Sequence, residues 1–257
     1  MDVSAFRKLG IGFSASRDED GGLPTLIMVH GAGGSSEVWS GQVSGLSRLV
    51  QAVAIDLPGH GKSKDPAMES IEAYSHWLAG VIEKTAEKPV FLMGHSMGGA
   101  ITQITAIRRP ELLSGIILAA TGPRLRVAPQ FLQGLQEDFN ATVERFLGYA
   151  YGPEAGDALI KEGIRIMEEA GPDVVFKDLS ACDSFDSAKG LSGIRMPCLI
   201  LCGEKDLLTP PAFSAKLHDA IAGSTLKHIP EVGHTLMIEN PRAFNQIVGT
   251  LFTFTVS

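Results

Sequence analysis

Six short apolar runs punctuate this chain, at residues 25–30, 50–55, 89–93, 115–120, 197–202 and 226–229. Each is too short for a typical helix and nearly continuous in apolar character, as in strands buried on both faces. Helix-like segments lie between them, at about 36–47, 70–87, 96–109, 211–222 and 240–252. Strands alternating with helices imply a mostly parallel central sheet flanked by helices on both faces, an α/β fold. In such sheets ligands bind beyond the carboxyl ends of the strands. The loops after Val29, Ile55, Met93, Cys202 and Ile229 are therefore expected on one edge.

The pattern changes between the fourth and fifth runs. Residues 123–190 contain no strand-like run, and Phe131, Leu135, Phe139, Val143, Phe146 and Ala150 recur at helical spacing. Gly152-Pro153 and Gly171-Pro172 divide this stretch into about three helices. The expectation is a catalytic domain made of residues 1–122 and 191–257, with 123–190 inserted as a helical cap. Residues 4–18 are expected to add one or two short strands.

A net charge of −7 gives none of the basic footprint that nucleic acids require. No apolar run approaches the length of a membrane span, and residues 1–10 lack the apolar stretch of a signal peptide. Cys182, Cys198 and Cys202 cannot all pair and form no CxxC, so they read as reduced packing residues rather than a metal site. A cytoplasmic protein with no metal and no cofactor is expected.

Residues 94–98, Gly94-His95-Ser96-Met97-Gly98, fit the pattern G-x-S-x-G between a strand and a helix. The serine sits on a sharp turn, and the helix N-terminus places the Met97 N–H where negative charge develops. A serine hydroxyl needs a base to take its proton, and a carboxylate to hold that base in the right tautomer. Asp206 and His234, each just past a strand, supply both. Asp56 also ends a strand, but it runs into Leu57-Pro58-Gly59-His60-Gly61, whose turn it can cap. Asp206 therefore ranks ahead of it. His30 and His60 read as loop braces, while His76, His218 and His228 read as surface helix or strand residues. His95 adjoins the serine with its side chain directed elsewhere.

With His30-Gly31-Ala32-Gly33-Gly34, the 56–63 loop, the serine pentapeptide, Gly203-Glu204-Lys205-Asp206 and Gly233-His234, the chain resembles the α/β-hydrolase superfamily, in particular its small single-cap serine esterases. The resemblance implies a triad of Ser96, Asp206 and His234. It also implies an oxyanion hole made by the backbone N–H groups of Ala32 and Met97. The expected activity is that of a carboxylesterase on a small-molecule ester with an apolar acyl part, through an acyl-enzyme on Ser96. The same parts serve C–C hydrolases, lyases, acyl-carrier-protein methyl esterases and hydrolase-fold receptors. Oligomeric state stays open.

Two imitations fail. Gly31-Ala32-Gly33 suggests a dinucleotide fingerprint, but Ser36 stands at the third glycine. Gly61-Lys62-Ser63 suggests a phosphate loop, but Asp56 stands where its first glycine belongs.

Overall fold

The computed structural model describes residues 1–18 and 21–252. Seven strands form one sheet: β1 (Phe13–Ala15), β2 (Thr25–Val29), β3 (Gln51–Ile55), β4 (Val90–His95), β5 (Leu113–Ala119), β6 (Cys198–Gly203) and β7 (Thr225–Ile229). Their spatial order is β1-β3-β2-β4-β5-β6-β7. β1 runs antiparallel to β3, and the remaining neighbours are parallel.

The alternation of side chains along β2 divides the core. Ile27 and Val29 belong to one apolar layer; Leu26 and Met28 belong to the other. On the first face lie α3 (Ile71–Thr85) and α4 (Met97–Arg108); on the second lie α2 (Ser40–Gly45) and α11 (Pro241–Gly249). Burial on both faces explains why these strands lack polar alternation.

Strand order reverses at β2. The chain steps from β2 to β3 on one side, then returns to place β4 on the other. The loops after β2 and β4 consequently diverge and leave a crevice between them, where open parallel sheets bind ligands. Register aligns Val29 with Gly94, so His30-Gly31-Ala32 starts level with His95-Ser96.

Between β5 and β6 lie four helices, α5 (Pro129–Glu137), α6 (Phe139–Ala150), α7 (Asp157–Ala170) and α8 (Pro172–Ser184), where about three were expected. The unforeseen break falls at Asp138, whose side chain accepts the Ala141 N–H and starts α6 afresh. The segment leaves and returns through a neck: Ser187 N donates to Pro123 O, and Arg124 bridges to Asp186.

Within 4–18, where one or two short strands were expected, residues 13–15 form one, β1, and a short helix, α1 (Ser4–Lys8), precedes it. The closing helix expected at about 240–252 is α11, capped by Asn240 through the Ala243 N–H, and a short α10 (Leu236–Glu239) precedes it. The remaining helix, α9 (Pro211–Ala220), follows β6. Among the described residues no helix is long and apolar enough to cross a membrane.

Candidate active site

The turn after β4 is fixed by contacts that only glycine permits. A Cβ on Gly94 would stand 2.0 Å from Gly98 O, and one on Gly98 would stand 2.3 Å from Val29 O. Strand and helix can therefore pass closely, and the residue between them is forced into an unusual conformation. Ser96 has φ 52° and ψ −114°. Its N–H donates to Ala119 O at 3.0 Å, and its carbonyl accepts Thr121 Oγ1–H at 2.9 Å. These two bonds tie the half-buried serine to the end of β5. Ala120 and Glu231, the other non-glycine residues with positive φ among those described, follow β5 and β7 at the same edge. Backbone strain thus gathers where the loops meet.

Asp206 and His234 meet there as well. His234 Nδ1 lies 2.9 Å from Asp206 Oδ2, which also accepts Thr209 Oγ1–H at 2.7 Å. The other oxygen, Oδ1, accepts the N–H groups of Leu208 and Thr209, both at 2.9 Å. Burial alone would raise the Asp206 carboxyl. Attraction to His234 and these hydrogen bonds outweigh that and hold it below the usual carboxylate range. An ionised carboxylate facing Nδ1 keeps the proton on that nitrogen and leaves Nε2 as the imidazole's base.

Asp56 lies elsewhere. Its Oδ1 accepts Ser36 N–H at 2.6 Å and its Oδ2 accepts Lys62 N–H at 2.9 Å, so it ties the loops after β2 and β3 together. His30 braces the same region, taking the Leu57 N–H on Nε2 at 3.0 Å.

Ala32 lies in the loop after β2, and Met97 follows Ser96 as the first residue of α4. Neither backbone N–H donates to a protein acceptor among the described residues. Ala32, Ser96, Thr209 and His234 line one cavity of about 550 Å³. Its outer wall comes from all four helices of the insertion, through Phe131, Phe146, Leu159, Ile166 and Leu179. Arg126 and Arg145 reach it as exposed residues, and Arg145 also lies over the Phe131 ring. Arg124 and Arg165 instead pair with surface carboxylates.

Sequence reasoning missed several supports. His95 donates from Nε2 to His234 O at 2.9 Å. Burial drives its pKa down to about 3, so the ring is neutral. His234 N–H donates to Ala150 O at 2.7 Å, at the end of α6. Glu239 accepts the N–H groups of Gly152 and Gly233, at 2.8 and 3.0 Å. The histidine loop is thereby stitched to the insertion. Thr209 had a signal, three residues after Asp206; the others had none.

The chain matches the family model described as "Alpha/beta hydrolase family" over residues 26–247. It is 28% identical over 246 residues to a pimeloyl-[acyl-carrier protein] methyl ester esterase of Pectobacterium carotovorum subsp. carotovorum (strain PC1), covering 90% of this chain and 94% of that one. A solved thermophilic esterase superposes with a TM-score of 0.83 at 29% identity, covering 96% of this chain and 99% of the other. The enol-lactonase from Burkholderia xenovorans LB400 shares the fold, with a TM-score of 0.88 at 22% identity over 95% of this chain and 96% of that one.

Proposed function

The chain belongs to the alpha/beta hydrolase family and is an ester hydrolase, and we propose that Ser96, His234 and Asp206 are its catalytic triad. Ser96 Oγ attacks the ester carbonyl while His234 Nε2 takes its proton. The tetrahedral oxyanion is held by the N–H groups of Ala32 and Met97. His234 then protonates the departing alcohol, which leaves an acyl-enzyme. Water, deprotonated by the same nitrogen, adds to the acyl carbon and releases the acid and free Ser96. Asp206 keeps the proton on Nδ1 and stabilises the imidazolium formed at each addition. The observation that carries this reading is the 2.9 Å contact of Asp206 with His234, beside a strained serine in the same cavity.

The cavity favours a small-molecule ester whose apolar acyl part lies under the inserted helices, which act as a cap. Its apolar wall rewards each methylene added to the acyl chain until the space is filled. The methyl ester named for the relatives belongs to the same class of ester.

A p-nitrophenyl ester series from acetate upward, run beside Ser96→Ala, tests this. Each buried methylene contributes ~0.8 kcal/mol, so kcat/KM should rise roughly fourfold per step and then fall. Ser96→Ala should lose on the order of 10⁴-fold or more in kcat. Activity that persists in that variant would remove Ser96 as the nucleophile.

A further inference from the structure

Behind the cavity lies a buried charged cluster that the triad does not use. Asp178, on α8 of the insertion, is completely buried, as are His60 and Tyr74 of the α/β domain. Asp178 Oδ2 lies 2.8 Å from His60 Nε2 and accepts the Gly33 N–H at 2.9 Å, while Oδ1 accepts Tyr74 O–H at 2.9 Å. His60 Nδ1 lies 3.0 Å from Pro58 O, which can only accept. With Nδ1 donating there, Nε2 facing the Asp178 carboxylate favours a second donated bond and the charged ring. Burial opposes that charge, but the hydrogen bond and attraction from Asp178 outweigh it and raise the pKa.

The Gly33 contact matters because of the turn it belongs to. Gly34 N–H donates to Gly31 O at 3.1 Å, closing a turn with Ala32 and Gly33 at its centre. Gly33 has φ +61° and Ala32 does not have positive φ, which is the type II arrangement. Both peptides flanking Ala32 are held. Gly31 O accepts His30 Nδ1–H at 2.8 Å as well as the Gly34 N–H, and planarity of that trans peptide turns the Ala32 N–H to the opposite side. The next peptide, between Ala32 and Gly33, is the one that rotates when a type II turn becomes type I. Its N–H is the group Asp178 holds. Met167 and Val175 of the insertion also lie close to Gly33, each with an atom 3.0 Å from where a Cβ would stand.

We propose that Asp178 is a positioning residue that, through the Gly33 amide, fixes the turn presenting the Ala32 N–H to the reacting carbonyl. The oxyanion hole is then completed by the seated insertion and not by the α/β domain alone. This rests on the reading of Ser96 and Ala32 given above.

The test removes the acceptor without leaving a lone buried charge. Asp178→Leu/His60→Leu replaces the ion pair with apolar side chains, an exchange that often keeps or improves stability. Asp178→Asn keeps an oxygen for Gly33. Both are assayed with p-nitrophenyl butyrate and with an alkylboronic acid, whose tetrahedral serine adduct places an oxygen in the oxyanion hole. The double variant should lose roughly 10- to 100-fold in kcat, the scale of a weakened oxyanion donor. Boronate affinity should fall by the same factor, with KM within about threefold, and Asp178→Asn should recover most of both. A folded double variant with unchanged kcat and boronate affinity overturns the proposal. So does an Asp178→Asn variant as impaired as the double one. If the double variant does not fold, Asp178→Ala, in which His60 can shed its proton, is read in the same way. Ser96→Ala run alongside separates the two readings. Residual activity there defeats the triad, whereas an inactive Ser96→Ala beside a fully active double variant defeats only the role of Asp178.

Discussion

Ser96 occupies a backbone conformation that ordinarily costs about 1–3 kcal/mol, and it stays there because the elbow glycines, Ala119 O and Thr121 Oγ1 leave it no alternative. The side chain of Asp206 is determined just as fully. Replacing it with asparagine keeps an oxygen for the Leu208 and Thr209 N–H groups but sets an NH₂ opposite His234 Nδ1. The imidazole must then accept at Nδ1 and carry its proton on Nε2, which is useless as a base toward Ser96. Asp206→Asn is expected to lower kcat by roughly 10⁴-fold with little change in KM or melting temperature. Steady-state kinetics near neutral pH check this, and a loss under tenfold would contradict the proposed role. The sharp turn at Ser96 and the pairing of Asp206 with His234 were legible in the sequence because each residue stands at a fixed offset from a strand end and a glycine. His95 and Asp178 were not, because their partners lie 139, 118 and 145 positions away and no local pattern encodes such pairings.

At the scale of elements, the pattern of small residues records how closely backbones approach. Gly98→Ala would drive a methyl group into Val29 O, which belongs to the centre of the sheet and cannot move aside. Overpacking of this kind costs about 1–3 kcal/mol or more, so the variant should melt well below the parent or fail to fold. Gly148 offers the opposite case. It lies inside α6, is exposed, and has nothing within 4 Å of an added Cβ. Gly148→Ala should therefore stabilise by about 0.5–1 kcal/mol through helix propensity alone. Thermal denaturation of the two variants side by side checks both directions. Buried strands were readable in the sequence because their apolar runs are continuous. Helix breaks were less so: Phe139 continues the apolar spacing of Phe131 and Leu135 across Asp138, and only the capping geometry of Asp138 reveals the interruption.

For the whole molecule, the insertion is tied to the α/β domain at its neck, at Asp178 and at the histidine loop, and two of these ties involve buried ionisable groups whose charge depends on pH. His30, beside His60, is held neutral by burial, its pKa lowered to about 4, and His95, beside His234, is lowered to about 3. In the unfolded chain both titrate near 6.5. Below that pH the unfolded state binds more protons than the folded one, so the stability these two residues provide is complete above pH 6.5 and is lost as pH falls. Asp206, held low, adds a loss in the same direction at still lower pH. His60 works in the opposite sense. Its pKa is raised, so the stability of the pair with Asp178 is complete below 6.5 and fades as pH climbs through the folded value. Stability should peak just above pH 6.5. At pH 4.5, two units below the unfolded histidine value, each neutral histidine withdraws about 2.7 kcal/mol at ~1.36 kcal/mol per unit. For a protein of this size that corresponds to a fall in Tm of roughly 10 °C or more between pH 6.5 and 4.5. Melting curves from pH 9 to 4 measure it. A Tm flat from 6.5 to 4.5 would mean that His30 and His95 gain protons inside the fold at no cost, although the Leu57 N–H bond to His30 Nε2 requires that ring neutral.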